Sequence, residues 1–421
     1  MSAGKRVCVS LLLILLAQSS AAAQSHARLG ELYADRQYFK LRDALRDFDR
    51  DQSAELLFYR GAVANKFNRL PESIKYLTAY LKRARAGADS RLLVECYGML
   101  ADDYVKTYQY RKAARAYATL LGKFGGRLDA EKKSDFENSA RLWGALGGVP
   151  RQTASSRGGS QIGQDRDGHI PLEINGRRVA LAFDTGANVS VVTDSLARKL
   201  SLKIIDASVE VGAVAGNKVK ARLAVARVVK LGNASIRHAV FLVFDDRDLY
   251  ISEAHFQIEG LVGFPVIAAL GEVTFVRGGG IRLPAAPAAG GAQNMCLDEL
   301  TPLVAGRFRD RELIFALDTG ASRTTLYPRF YEDYKEEISA GYETHTERVR
   351  GAGGFREIKG YLAKDIVLGF GGGEARLARV PILTEYTNDS SRHFYGNLGQ
   401  DLIKQFGRMT LNFKTMSVVF E

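Results

Sequence analysis

The hydrophobic pattern of the chain changes period once. From Leu29 to about Leu146, apolar residues recur at steps of three and four, the spacing that gathers side chains on one face of a helix. From Ile170 onward the apolar runs are strand-like: Ile170 to Ile174, Val179 to Phe183, Ala221 to Leu231, Ala239 to Phe244, Glu357 to Leu368 and Ala375 to Leu383. Asn175-Gly176 between the first two is a strong hairpin signal, because both residues tolerate positive φ. Two stretches break the pattern and read as linkers: polar Gly147 to Gly168, and Pro/Ala/Gly-rich Pro284 to Gln293. About ten extended residues span roughly 33 Å, enough for the strands after the second linker to turn back on those before it. The expectation is a multidomain chain: an all-α region over 24–146, a linker over 147–164, and two all-β lobes over 165–285 and 295–421 joined by 286–294. Six or seven strands are expected in each lobe.

Within the helical region three groups stand out. They are Leu29-Gly30 with Tyr33 and Phe39; Gly61 with Ala64, Leu70 and Leu77; and Leu100-Ala101 with Tyr104, Tyr110, Ala113 and Tyr117. They resemble tetratricopeptide (TPR) helix pairs, although Gly30, Gly61 and Ala101 lie 31 and 40 residues apart against a family period of about 34. A last helix, about Asp129 to Leu146, would cap the stack. The resemblance implies a concave face for a peptide or protein partner. A plain helical domain packed on the lobes is the alternative. Tyr76, Tyr80, Tyr108 and Tyr117 are assigned to packing between helices rather than to a ligand surface.

The β region says everything twice. Ala182-Phe183-Asp184-Thr185-Gly186-Ala187 returns as Ala316-Leu317-Asp318-Thr319-Gly320-Ala321, 134 residues later. Gly212-Ala213-Val214-Ala215-Gly216 has its partner in Gly351-Ala352-Gly353-Gly354, and Leu261-Val262-Gly263 in Asn397-Leu398-Gly399. Gly271-Glu272-Val273-Thr274-Phe275 matches Gly407-Arg408-Met409-Thr410-Leu411 at an offset of 136. One Asp-Thr-Gly is a weak signal, since Asp and Gly are common turn residues after a strand. Four landmarks in one order at nearly constant spacing mean a duplicated domain.

That order resembles the retropepsin-like aspartic proteases over residues 165 to 421. Alanine after each triplet (Ala187, Ala321) is similar to the retroviral type; pepsin-like enzymes usually carry Ser or Thr there and have a single flap. The resemblance implies two fused lobes acting on polypeptide substrates, with Asp184 and Asp318 as the catalytic pair; the short tether favours an intramolecular pseudo-dimer, active as a monomer, over lobes paired between two chains. Thr185 and Thr319 would brace the two loops across the junction, and Gly186 and Gly320 would let the backbone come close beside the carboxylates. Gly212, Ala213, Val214, Ala215 and Gly216, with Gly351, Ala352, Gly353 and Gly354, would form the substrate-covering flaps. Two residues depart from the family pattern, Asn397 for the first apolar residue of the second signature and Pro265 after the first. Neither is expected to touch the carboxylates. A peptide-binding scaffold that has lost turnover is the non-enzymatic alternative.

Other chemistry finds little support. The six histidines (His26, His169, His238, His255, His345, His393) are scattered without metal-ligand spacing, and neither a cofactor nor a metal is expected. Gly278-Gly279-Gly280 and Gly371-Gly372-Gly373 lack the Lys-Ser/Thr of a phosphate loop. The net charge of +12 is dispersed without a basic block, which argues for a solvated surface and against nucleic-acid binding. Residues 1–23 read as a secretory leader of bacterial type: Lys5 and Arg6, the apolar run Val7 to Leu16, then Ala21-Ala22-Ala23. The run is too short for a bilayer span, so an exported protein, periplasmic or secreted, is expected. Cys96 and Cys296 fall in different expected domains; export permits a disulfide, and buried free thiols are the preferred reading.

Overall fold

The computed structural model describes residues 26–48, 51–84, 89–212, 218–251, 255–351, 354–387 and 389–421. The expected leader over 1–23 lies outside the described residues, and so do the expected flap residues Ala213, Val214, Ala215, Gly216, Ala352 and Gly353. Among the described residues no helix is long and apolar enough to cross a membrane.

The first part is all-helical. It consists of α1 (residues 26–34), α2 (Tyr38–Ala44), α3 (Ala54–Lys66), α4 (Leu70–Arg83), α5 (Ser90–Lys106), α6 (Tyr110–Phe124) and α7 (Ala130–Ala145). Side-chain oxygens open α3, α5 and α7: Ser53, Asp89 and Asp129 accept from Leu56, Arg91 and Lys132 N–H. The turns inside the three pairs are built alike. Arg36, Asn68 and Tyr108 sit at φ 53°, 56° and 56°. In each case the next residue's N–H reaches back five residues, Gln37 to Leu32 (2.8 Å), Arg69 to Ala64 (2.7 Å) and Gln109 to Tyr104 (2.7 Å). This is the left-handed closure that satisfies the last carbonyls of a helix. The unequal repeat spacing arises because α4 and α5 are longer than α2 and α3. Gly61 is required where α3 meets α4, since a Cβ there would stand 2.6 Å from Leu77. Tyr80 packs edge-on against Phe58, and Tyr117 packs at a tilt against Phe136, both between helices. Cys96 and Cys296 are both buried and free.

The rest is β-rich. Each lobe holds an eight-stranded sheet and further strands outside it, more than the six or seven expected, and a segment outside the repeat joins each eight-stranded sheet. In lobe 1 the extra strand is Thr153–Ser156, paired with Ala234–Phe244; in lobe 2 it is Met295–Asp298, paired with Thr301–Phe308. The shared seven strands run in the same ladder. Gly260–Val262 lies parallel to Arg177–Phe183 as Gly396–Leu398 lies parallel to Arg311–Leu317. Asn175 and Gly176 turn the first hairpin at φ 52° and 87°.

The expected linker over 147–164 is not a free tether. Besides Thr153–Ser156, the strand Ser160–Ile162 pairs with Gly280–Leu283 and opens a five-stranded sheet made by both lobes. At its centre Glu272–Val276 runs antiparallel to Arg408–Asn412, with Thr274 opposite Thr410 and their hydroxyls 2.9 Å apart. These two threonines are themselves equivalent in the repeat, so the local twofold passes between them. The helical stack is docked by its turns. Arg36 and Lys66 (2.6 Å) bind buried Asp298 of lobe 2, Asn68 donates to Phe413 O (3.1 Å), and the Tyr108 hydroxyl donates to Pro265 O (3.2 Å). Pro265 disturbs nothing. It sits in the first turn of the helix Phe264–Ala269, where its missing N–H would have no partner, and its carbonyl is a docking point for Tyr108 and Gln152 (2.9 Å).

Candidate active site

The two Asp-Thr-Gly loops meet at the lobe junction, each at the buried end of a strand (Arg177–Phe183, Arg311–Leu317). The loops are fixed by the parallel neighbour, since Asp184 N–H donates to Val262 O (2.9 Å) and Asp318 N–H to Leu398 O (3.0 Å). Behind them the buried threonines form a reciprocal lattice. Thr185 Oγ1 donates to Leu317 O (2.7 Å) and accepts Thr319 N–H (3.0 Å); Thr319 Oγ1 donates to Phe183 O (2.7 Å) and accepts Thr185 N–H (3.1 Å). Four hydrogen bonds at a buried seam leave little freedom in the separation of the two aspartates.

The carboxyl groups are held with the same symmetry. Asp184 Oδ1 accepts the N–H groups of Gly186 (2.8 Å) and Ala187 (3.1 Å), and Asp318 Oδ1 those of Gly320 (2.9 Å) and Ala321 (3.0 Å). Each glycine faces the opposite lobe's acid: a Cβ at Gly186 would stand 2.6 Å from the Asp318 carboxyl, and one at Gly320 would overlap the Asp184 carboxyl in the same way. Two carboxylates so close cannot both ionise. Burial, reinforced by Asp318 beside it, pushes the Asp184 carboxyl up to about 7, so the pair retains a proton near neutral pH.

The structure brings together Asp184, Thr185, Gly186, Asp318, Thr319 and Gly320. Gly212, Gly351 and Gly354 lie at the tops of two hairpins, where Gly212 pairs with Lys218 and Gly351 with Gly354. The expectation for Asn397 requires correction. Its side chain does touch the dyad, Nδ2 donating to Asp318 Oδ2 at 2.9 Å. The strand Gly396–Leu398 lies beside Arg311–Leu317 with Asn397 opposite Ala316, which places its amide at the mouth of the loop. Lobe 1 has Leu261 at that register, opposite Ala182.

Other contributors escaped the sequence reading. Ser190 Oγ and Thr324 Oγ1 accept the N–H groups of Gly263 (2.9 Å) and Gly399 (3.1 Å), locking each signature glycine under its loop. Both hydroxyls lie at the same offset as the aspartates, so aligning the repeats beyond the triplets would have exposed them. Gln400 Nε2 donates to Thr319 O (2.7 Å) in lobe 2 only, because Phe264 stands there in lobe 1. His345 is not simply solvated. With Arg323 (3.1 Å) it binds Glu347 (3.0 Å), tying the second hairpin to the loop beyond Asp318. Asp165, Asp167 and His169 gather in an exposed turn ahead of the strand Ile170–Ile174, where Asp165 Oδ1 already accepts the backbone N–H groups of the other two.

A family model described as aspartyl protease matches residues 170–266, the stretch that holds Asp184 and the first signature. No curated protein matches the chain in sequence. Among solved structures, a retropepsin-like aspartic protease from Rickettsia conorii is similar at 20% identity, over 28% of this chain and 84% of that one, with a TM-score of 0.18.

Proposed function

We propose that the chain is an exported aspartic endopeptidase that hydrolyses peptide bonds through an intramolecular pair, Asp184 and Asp318, and is active as a monomer. The observation that carries this reading is the reciprocal threonine lattice with two symmetric, backbone-anchored carboxyl groups at its centre. One shared proton and one water suffice for the chemistry. The ionised carboxylate takes a proton from the water as its oxygen attacks the scissile carbonyl, and the protonated carboxyl donates to the carbonyl oxygen. The hairpins ending at Gly212 and Gly351 would cover an extended peptide. The helical part is read as a TPR-like stack. Its turn edge is occupied by the lobes, so any partner peptide would be met by another face.

The test is cleavage of an unfolded protein mixture by the purified chain from pH 3 to 8, with Asp184→Asn as control. Activity that falls as pH rises through about 7 and is absent in the control supports the reading. A folded wild-type chain that binds peptides without cleaving them would assign it to the scaffold class.

A further inference from the structure

We propose that Asn397 is a positioning residue that makes the pair unequal, holding the negative charge on Asp318 and leaving the shared proton on Asp184. This rests on the aspartic-peptidase reading and adds a direction to it. Through Oδ1 the two acids are equivalent, each accepting two backbone N–H groups. Their Oδ2 atoms differ. Asp318 Oδ2 accepts a third N–H, from Asn397 at 2.9 Å, whereas the matching register in lobe 1 carries the donorless Leu261. An amide N–H can only donate, and such a bond is stronger to a carboxylate than to a neutral acid. The proton therefore settles on the acid with fewer donors.

The groups around Asp318 leave that balance intact. Asp184 faces it across the junction. Tyr327, from its own lobe, is partly buried and stays neutral, its hydroxyl pushed up by desolvation and then by Asp318. Arg323 is neutralised by Glu347, which also binds His345, and Asp401 accepts from Thr324 N–H and Oγ1 (2.7 Å each). The assignment gives each acid a role. Asp318 takes the water proton as the new C–O bond forms, and Asp184 gives its proton to the carbonyl oxygen. On collapse the C–N bond breaks, Asp184 recovers its proton, and Asp318 passes its own to the departing amine. Every proton is accounted for.

The test is the pH dependence of kcat/KM for wild type, Asn397→Leu and Leu261→Asn. Losing the donor makes the first ionisation harder, so in Asn397→Leu the acidic limb should move up by about one pH unit. The alkaline limb should stay, since Asp318 is already charged on both sides of that step. Leu261→Asn offers a donor to Asp184 and should lower the alkaline limb instead. Should Asn397→Leu fail to fold, Leu261→Asn still decides. An unmoved acidic limb in folded Asn397→Leu, or an unmoved alkaline limb in Leu261→Asn, overturns the proposal and leaves the peptidase reading standing. The carboxyl carbon-13 shifts of the two aspartates read the same ionisations without turnover. If the wild type proves inactive while Asp318 titrates first, the functional reading fails and the role of Asn397 survives.

Discussion

Lobe 1 and lobe 2 carry the same seven strands in the same ladder, yet they are held from outside in different ways. In lobe 1, Asn138 of α7 makes two hydrogen bonds to the backbone of Glu210 (2.6 and 3.1 Å) and Ser134 accepts from Lys218 (2.9 Å), so the helical stack grips the flap hairpin itself. In lobe 2 the stack grips the first strand through Asp298, and the hairpin ending at Gly351 is tied to the loop that follows Asp318 by Arg323 and Glu347. Duplication preserved what both halves of a shared site require, the threonine lattice and the glycines against the carboxyl groups. It left the periphery free to diverge. Asn397 and Gln400 are exceptions, divergences inside the site, and both lie in the lobe whose flap the stack does not hold through α7.

The largest effect should come from the acids. Asp184→Asn and Asp318→Asn should each lower kcat by at least about a thousandfold with unchanged circular dichroism, since one shared water makes the pair a single unit. Residual turnover confined to one variant would break the equivalence of the lobes. Asp184→Asn carries a second signature. A carboxyl raised to about 7 keeps a proton that the unfolded chain has lost above its ordinary value near 4, so it subtracts stability as pH rises between those two points. The melting temperature of Asp184→Asn should therefore exceed that of wild type at pH 7 by more than at pH 4.

Next in size is the anchor of the stack on lobe 2. Burial alone would push Asp298 up, but Lys66 and Arg36 reverse this and hold its carboxyl well below the usual range. Asp298→Asn leaves a buried ammonium uncompensated and should cost about 3–5 kcal/mol in denaturant unfolding. Asp298 stabilises the fold above the ordinary carboxylate range, and that contribution is lost as pH falls toward its depressed value, so wild type and variant should converge in acid. Removing residues 24–157 altogether should give an unstable, aggregating β region rather than a free-standing peptidase. A soluble, fully active product would show that the docking contacts are dispensable.

The threonine lattice should respond symmetrically. Thr185→Ala and Thr319→Ala each strand a buried carbonyl and a buried N–H and should cost about 2–4 kcal/mol, while Ser at either place should restore most of it. Unequal losses would mean that one lobe holds the junction alone. The smallest effect belongs to the flaps. Asn138→Ala should speed hydrogen exchange at Glu210 without changing the hairpin of lobe 2, and raise KM roughly 2- to 10-fold. Faster exchange in both hairpins would mean that the flaps are coupled.

The sequence alone carried the duplication, the two acids, the threonines and glycines beside them, and the change from helical to strand period. Those features are repeated or periodic, and the repeat itself makes them legible: Gly186 and Gly320 recur because each triplet meets the opposite lobe's carboxyl in the same way. The linker, the role of Asn397 and the docking edge were not legible. Residues 153–156 and 160–162 become strands only because lobe 1 and the interlobe sheet offer them free edges. Asn397 reads as a flaw in an apolar signature until the parallel register with Arg311–Leu317 places its amide beside Asp318. Arg36, Asn68 and Tyr108 share a left-handed turn but no residue type. What they have in common is the surface they reach, and only the packed chain brings that surface to them.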